Sequence, residues 1–141
     1  DMKALGIKPE MEIFDVSMIR NAVALAEKGL AEAPLHFDFV MGLKGAIPAT
    51  IENLVHLKNS LPEGSTWTAA GIGPAQLVMN THAILMGGHV RIGLEDNIYF
   101  RKGEPAPNER FVERMVKMAA EFGRATATPD EARKIMHLKA H

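Results

Sequence analysis

The most restrictive feature of the sequence is a regular alternation of short apolar segments of strand length with amphipathic segments of helix length. The periodicity predicts strands at 11–14, 35–41, 66–70 and 89–94, and helices at about 17–29, 48–59, 75–86 and 109–122, with a last short helix opening at Thr128. Such an alternation is typical of a parallel sheet covered by helices. The sequence therefore predicts four successive β-α units within one structural unit.

Chain length decides which parallel fold these units can form. A complete (β/α)8 barrel needs about 250 residues, whereas this chain has 141. An open four-stranded sheet is the alternative and the less usual arrangement. Residues 1–6 resemble the end of a helix that has no start signal before it. We therefore expect an α/β fold that is the second half of a (β/α)8 TIM barrel, strands five to eight with their helices, in a longer polypeptide.

Composition excludes several classes of function. The formal net charge of −1 leaves no basic excess to neutralise nucleic-acid phosphates. No apolar run approaches the roughly 20 residues of a membrane helix, and the first residues lack the pattern of a secretion signal. The chain has no cysteine, so histidine and carboxylate side chains are the metal ligands to expect. We predict a cytoplasmic enzyme, or part of one, without a nucleic-acid or membrane partner.

The segment 87–97 carries the strongest functional signal. Its predicted strand, 89–94, ends in two adjacent carboxylates, Glu95 and Asp96. Strand alternation would place Arg91 and Glu95 on one face. The carboxyl ends of strands are where (β/α)8 barrels place their active sites. We interpret this segment as the active-site strand; a solvated turn after the strand and a structural ion pair of Arg91 remain the alternatives.

Polar residues on the first two predicted strands are weaker candidates. Glu10 and Glu12 alternate with apolar neighbours, and Glu12 lies nearer the carboxyl end of its strand. We predict Glu12 as a substrate contact, with a structural salt bridge as the alternative. His36 and Asp38 share a face of the next strand and are interpreted as a buried polar pair. His89 is interpreted as a hydrogen-bonded core histidine rather than a metal ligand.

Five motifs in a fixed order resemble a known family. They are the segments 8–15, 39–48, 67–73, 87–97 and 127–133. Together they resemble the C-terminal half of the β-keto acid cleavage enzymes, and the resemblance covers essentially all 141 residues. The segment 87–97 is specific by itself, whereas the other four are convincing only as an ordered set.

The resemblance implies a zinc-dependent barrel that combines a β-keto acid with acetyl-CoA to give acetoacetate and a new CoA thioester. It implies that Glu95 is a zinc ligand. It also implies that Arg91 and Asp96 take part in proton transfer and assist formation of an acetyl-CoA enolate. The family's other two zinc ligands belong to a His-x-His pair, which none of the six histidines forms. The resemblance thus implies a missing N-terminal half-barrel as partner, an inactive isolated chain and a homo-oligomeric enzyme.

A glycine turn and one lysine are the candidate CoA contacts. Gly71 and Gly73 precede a predicted helix, whose N-terminal amides could bind a phosphate. Lys44 lies in the glycine-containing loop after the second strand, and a solvated loop lysine is the alternative. Two other classes of protein remain possible. One is a non-catalytic α/β domain that binds an anion or CoA, and the other is a structural homodimerisation module.

Overall fold

The computed structural model describes residues 1–138. A short 3-10 turn, Lys3–Leu5, precedes the first strand. The strands are β1 (Glu10–Ile13), β2 (His36–Met41), β3 (Thr66–Gly71), β4 (His89–Val90), β5 (Tyr99–Arg101) and β6 (Glu104–Pro105). The helices are α1 (Val16–Glu27), α2 (Ile51–Asn59), α3 (Ala75–Leu85), α4 (Asn108–Glu121) and α5 (Pro129–Ile135).

The first four strands form one parallel sheet in the order β1-β2-β3-β4, so neighbours in sequence are neighbours in space. A helix connects each strand to the next. The predicted α/β class and the parallel sheet are confirmed. Four strands do not close into a barrel, so the complete (β/α)8 architecture stays a prediction.

One face of the sheet packs against α1, α2 and α3 and forms the hydrophobic core. Phe39 and Trp67 stack at its centre, with ring centroids 5.5 Å apart. Gly88 lies against the Trp67 indole, where an added Cβ would come within 2.6 Å of the ring. The core residues are Ile13, Ile19, Ala22, Ala31, Leu35, Phe37, Phe39, Met41, Leu54, Leu57, Trp67, Ala69, Met79 and Ala83.

The opposite face of the sheet is polar. Strand register places Glu10 beside His36 and Thr66 in one row, and Glu12 beside Asp38, Thr68 and His89 in the next. Because side chains alternate along each strand, the whole set lies on the face away from the helices. The polar alternation in the sequence thus becomes a polar face of the sheet that ends at its carboxyl edge, and His36 and Asp38 are buried within it.

The prediction of a strand at 89–94 is wrong in its extent. β4 pairs with β3 only at His89 and Val90, and the amide of Arg91 makes the last contact, donating to the Ala69 carbonyl at 3.0 Å. Beyond it the chain turns, because the Gly93 carbonyl accepts from the amides of Asp96 and Asn97, both at 3.1 Å. No second strand flanks β4 among residues 1–138, so no ladder extends it.

Two further boundaries differ from the sequence prediction. The second helix begins at Ile51 rather than at residue 48, because the Thr50 hydroxyl caps it by accepting from the Asn53 amide at 3.3 Å. The sequence predicts no strand between the fourth predicted strand and the fourth predicted helix, but this segment contains the antiparallel hairpin β5–β6. Within residues 1–138, no helix has the length and apolar character needed to cross a membrane.

Candidate active site

Arg91 lies at the carboxyl edge of the sheet, where three carboxylates converge on its guanidinium. Its Nη1 donates to Asp38 Oδ2 at 2.6 Å and to Glu12 Oε1 at 2.8 Å. Its Nη2 donates to Asp96 Oδ1 at 3.2 Å. We call these four residues the Arg91 cluster. They come from β1, β2 and the segment after β4, which the parallel order brings together.

The backbone of Arg91 is fixed on both sides. Its amide donates to Ala69 of β3, and its carbonyl accepts from the Asn80 side chain at 2.9 Å. Asn80 belongs to α3 and is fully buried. The guanidinium therefore projects from a rigid backbone toward Glu12 and Asp38, which are paired in the register of β1 and β2.

The turn that carries Asp96 is tied to the neighbouring loop. The Gly73 amide donates to the Asp96 carbonyl at 2.8 Å, which joins the turn to the β3–α3 connection. The Asp96 side chain is only 4% exposed. Asp96 is therefore held inward beside Arg91, as a positioned acid should be.

In the Arg91 cluster, burial and the neighbouring opposite charges shift the pKa of each group in opposite directions. Burial raises the pKa of Asp38 and of Asp96 above the ordinary value, and the Arg91 guanidinium only partly offsets this. Burial also disfavours the charge of Arg91, but hydrogen bonds with Glu12 and Asp38 hold its pKa above the ordinary value. Asp38 Oδ1 and Asp96 Oδ2 are buried and have no hydrogen-bond partner within residues 1–138. Two acids with raised pKa and a free oxygen each are suited to proton transfer.

Glu95 is placed differently from Asp96. Strand alternation predicted that Arg91 and Glu95 share a face, yet Glu95 Oε1 lies 3.9 Å from Arg91 Nη2 and its side chain is 69% exposed. The alternation fails here because the strand ends at Val90. The Glu95 carboxylate instead folds over Gly93, where an added Cβ would overlap it. Asp96, rather than Glu95, is the close partner of Arg91.

Asp38 is the member of the cluster that sequence reasoning assigned elsewhere. It was expected to form a polar pair with His36, but His36 bonds to Thr66 Oγ1 at 2.8 Å and to Thr68 Oγ1 at 3.1 Å. Asp38 bonds to Arg91 instead. The sequence signal that could have placed Asp38 in the cluster is its position on the same face as Glu12, on the neighbouring strand.

His36 forms a second polar group below the Arg91 cluster. Its ring is 2% exposed and lies 6.3 Å, centroid to centroid, from the ring of His89. Burial, with repulsion from His89 and Lys8, lowers the pKa of His36 to about 4. Glu10 Oε1 lies 3.2 Å from the ring and would favour the cation, but Glu10 is 56% exposed and solvent screens it. Burial also lowers the pKa of His89, and both rings are neutral at pH 7.

The side chains present can supply part of a metal site. No group of three histidine or acidic side chains suited to a metal ion occurs within residues 1–138. A catalytic zinc site uses about three protein ligands. Arg91 already occupies one oxygen each of Asp38 and Asp96, whereas the exposed Glu95 carboxylate can offer an oxygen. Glu95 therefore fits a zinc ion as one ligand of the set.

The two glycines predicted to contact CoA lie beside the cluster, but the amides around them are used within the chain. The Ile72 amide donates to Met41, Gly73 to Asp96, Ala75 to Ile72 and Gln76 to Gly73. Gly71 is buried, and a Cβ there would come within 2.6 Å of the Ala75 carbonyl oxygen. Lys44 is exposed in the loop after β2. A CoA contact for Gly71, Gly73 or Lys44 stays a prediction.

A parallel α/β sheet that gathers a guanidinium and buried acids at the carboxyl ends of its strands has the arrangement of an α/β enzyme. A family model described as beta-keto acid cleavage enzyme matches residues 1–138. The chain belongs to this family. The predicted family resemblance is thereby confirmed.

Curated relatives support the assignment. The 3-keto-5-aminohexanoate cleavage enzymes of Fusobacterium nucleatum and Acetoanaerobium sticklandii are 51% and 52% identical, over 95% and 93% of this chain and 49% and 48% of the relatives. The 3-oxoadipate:acetyl-CoA acetyltransferase of Cupriavidus necator is 44% identical, over 98% of this chain and 50% of the relative. The chain spans about half the length of the curated relatives it matches.

Proposed function

We propose that this chain is the C-terminal half of a zinc-dependent enzyme that converts a β-keto acid and acetyl-CoA into acetoacetate and a new CoA thioester. The observation that carries the proposal is the convergence of Glu12, Asp38 and Asp96 on Arg91 at the carboxyl edge of the sheet. The relatives supply the substrate class, since they include 3-keto-5-aminohexanoate cleavage enzymes and a 3-oxoadipate:acetyl-CoA acetyltransferase.

Carbon balance decides which substrate loses a proton. Acetoacetate consists of an acetyl group joined to a carboxymethyl group, so the acetyl group of acetyl-CoA must be joined to C2 of the keto acid. The carbanion is therefore formed on the keto acid, which corrects the expectation of an acetyl-CoA enolate. C2, the carbon between the ketone and the carboxylate, is also more acidic than the methyl carbon of acetyl-CoA.

Asp96 is the proposed proton acceptor. Its carboxylate takes the proton from C2 of the keto acid, and the resulting enolate attacks the thioester carbon, expelling the CoA thiolate. The thiolate then adds to the original ketone carbon. The bond between C2 and that carbon breaks, and C2 regains the proton from Asp96, which balances the reaction. The buried, unpartnered Oδ2 and the raised pKa of Asp96 support this role.

Arg91 is proposed to stabilise the negative oxygen that develops on the enolate. Asp38 and Glu12 hold its Nη1 side, while within residues 1–138 its Nη2 side has only the 3.2 Å contact with Asp96 and the 3.9 Å approach of Glu95. A fixed cation stabilises a developing oxyanion without the cost of reorganising. Glu12 is 49% exposed and can also contact the substrate.

Glu95 is proposed to donate one oxygen to zinc, with the two remaining ligands from the N-terminal half. When bound, zinc would supply Lewis acidity toward the oxygens of the keto acid. Glu95 would be one of the about three protein ligands that a catalytic zinc site uses. We therefore expect residues 1–141 alone to bind zinc weakly and to lack activity.

The test is an assay of the full-length gene product with acetyl-CoA and a panel of β-keto acids, with and without a chelator. We expect a new CoA thioester and acetoacetate in equal amounts, loss of both with the chelator, and loss of zinc in Glu95→Gln. Lys58→Gln, an exposed change on α2, is the matched control. Absence of product with every keto acid would refute the proposal. If the unmodified protein turns over no keto acid yet binds CoA, and Glu95→Ala binds CoA equally well, a non-catalytic binding domain would be favoured.

A further inference from the structure

Outside the four-stranded sheet, three arginines lie close to one aromatic ring. The guanidinium carbon of Arg114 lies 3.8 Å from the centroid of the Phe100 ring, that of Arg110 lies 4.2 Å away and that of Arg101 lies 5.9 Å away. Phe100 belongs to the β5–β6 hairpin, and Arg110 and Arg114 belong to α4. We call Phe100 and these three arginines the Phe100 cluster.

The Phe100 cluster holds more positive charge than it neutralises. Its one ion pair within residues 1–138 joins Arg110 Nη1 to Glu104 Oε1 at 2.8 Å. Arg114 donates Nη1 to the Phe100 carbonyl at 2.8 Å, and its Nε is buried without a partner in the same part of the chain. Like charges brought together around one ring repel each other, and a bound anion would relieve this repulsion.

Two adjoining pockets connect the Phe100 cluster with the active site. One is lined by Gly73, Asn97 and the Phe100 cluster side chains of Arg101 and Arg114, together with Lys102. The other shares Gly73, Asn97, Arg101 and Lys102 with it and extends to Glu95 and Asp96. A continuous groove therefore runs from Asp96 to the cationic side chains. We call it the arginine groove.

We propose that the arginine groove binds the phosphate groups of the CoA co-substrate, with Arg101, Lys102 and Arg114 as the phosphate contacts and Gly73 and Asn97 along the pantetheine arm. This inference rests on the proposed function, because it takes acetyl-CoA as the acyl donor. Guanidinium groups bind phosphate oxygens through paired, charge-assisted hydrogen bonds. The groove has the polarity that such a ligand requires, with cations at one end and the reacting acid at the other.

The phosphate contacts differ from those predicted by sequence. The sequence pointed to amides at the start of α3, but the Gly73, Ala75 and Gln76 amides are engaged within the chain. Cationic side chains on the hairpin and α4 are exposed or half-buried instead. Gly73 would then line the route of the ligand without donating to a phosphate.

The test compares acyl donors with and without phosphate in the full-length gene product. In Arg101→Ala/Lys102→Ala we expect the KM for acetyl-CoA to rise at least about tenfold, because two charge-assisted contacts are lost. The KM for the keto acid should stay unchanged. With S-acetylpantetheine, which has no phosphate, the variant and the unmodified protein should have the same kcat/KM. Lys28→Ala/Lys58→Ala, two exposed lysines outside the groove, is the control for net charge.

The two proposals fail in different ways. If the unmodified protein turns over acetyl-CoA and Arg101→Ala/Lys102→Ala leaves its KM unchanged, the groove is not the phosphate site. An equal rise in KM for S-acetylpantetheine would also overturn the inference. If no keto acid is turned over, the proposed function fails, and direct titration with CoA then decides about the groove. Weaker CoA binding by the variant would still support the inference, and equal or absent CoA binding would overturn it.

Discussion

Two regions of the molecule gather arginine, but they surround it with opposite partners. Arg91 has three carboxylates within hydrogen-bond distance and lies at the edge of a rigid sheet. The arginines around Phe100 have an aromatic ring and one another as neighbours, with Glu104 as the paired acid. In the Arg91 cluster, burial raises the pKa of Asp38 and Asp96, and the single guanidinium offsets this only in part, which suits these carboxyl groups to proton transfer. Surplus cation creates a site for an anion.

The largest expected effect comes from removing the cation of the Arg91 cluster. In Arg91→Met, Asp38 and Asp96 stay buried without their cation, so we expect a loss of about 3–5 kcal/mol in unfolding free energy and no detectable turnover. Urea unfolding of the full-length gene product measures the change in unfolding free energy. The matched change Arg101→Met should cost less than about 0.5 kcal/mol. Equal losses for the two variants would remove the distinction between the regions.

The second prediction separates chemistry from stability within the Arg91 cluster. Asp96→Asn keeps the shape of the side chain but cannot accept the proton, so kcat should fall by about 10²–10⁴. The unfolding free energy should change far less than in Arg91→Met. Steady-state kinetics with acetyl-CoA and the best keto acid provides the measurement. A variant that keeps more than a tenth of the activity would exclude Asp96 as the acceptor.

The stability of the protein should depend on pH through His36, on the polar face below Arg91. Because the pKa of His36 falls to about 4 in the folded protein, the unfolded chain binds more protons between pH 4 and about 6.5. Stability should therefore decrease as pH falls through this window, by up to about 3 kcal/mol from this ring. The charges of His89 and Lys8 act on the same ring, and Glu10 Oε1 lies 3.2 Å from it.

His36→Gln separates the effect of this ring from the rest. Its unfolding free energy should fall less between pH 6.5 and 4 than that of the unmodified protein, as chemical unfolding at several pH values would show. Arg101 lies in the Phe100 cluster, away from the His36 ring, so Arg101→Met should leave the pH dependence unchanged. Identical slopes for His36→Gln and the unmodified protein would show that His36 does not cause the decrease.

The smallest expected effect concerns the ring of the Phe100 cluster. Phe100→Leu keeps an apolar side chain but removes the cation–π contacts with Arg110 and Arg114, each of which contributes about 0.5–1 kcal/mol. We expect a loss of about 1–2 kcal/mol in unfolding free energy, which urea unfolding can resolve. A loss above the one measured for Arg91→Met would reverse the order of the two regions.

Local signals in the sequence predicted much of the fold. The Thr128-Pro129 start of the last helix is a capping box, in which Thr128 and Glu131 each bond the other's backbone amide. The alternation of strands and helices likewise predicted the parallel sheet. These features depend on residues close together in the chain, where periodicity and capping chemistry act.

The parts that were missed depend on contacts distant in sequence. β4 ends at Val90 because its pairing with β3 stops there, which strand periodicity cannot show. The pairing of Asp38 with Arg91 joins residues 53 positions apart. The β5–β6 hairpin has strands of three and two residues, too short to give a periodic signal. In each case tertiary packing, rather than local pattern, selects the structure.

The most direct test of the Asp96 assignment is hydrogen exchange at C2 of the keto acid in deuterated water, without acetyl-CoA. If Asp96 removes this proton beside Arg91, the full-length gene product should exchange it well above the background rate, and Asp96→Asn should reduce exchange to background. NMR follows the C2 signal directly. Equal exchange by the two proteins would contradict the account.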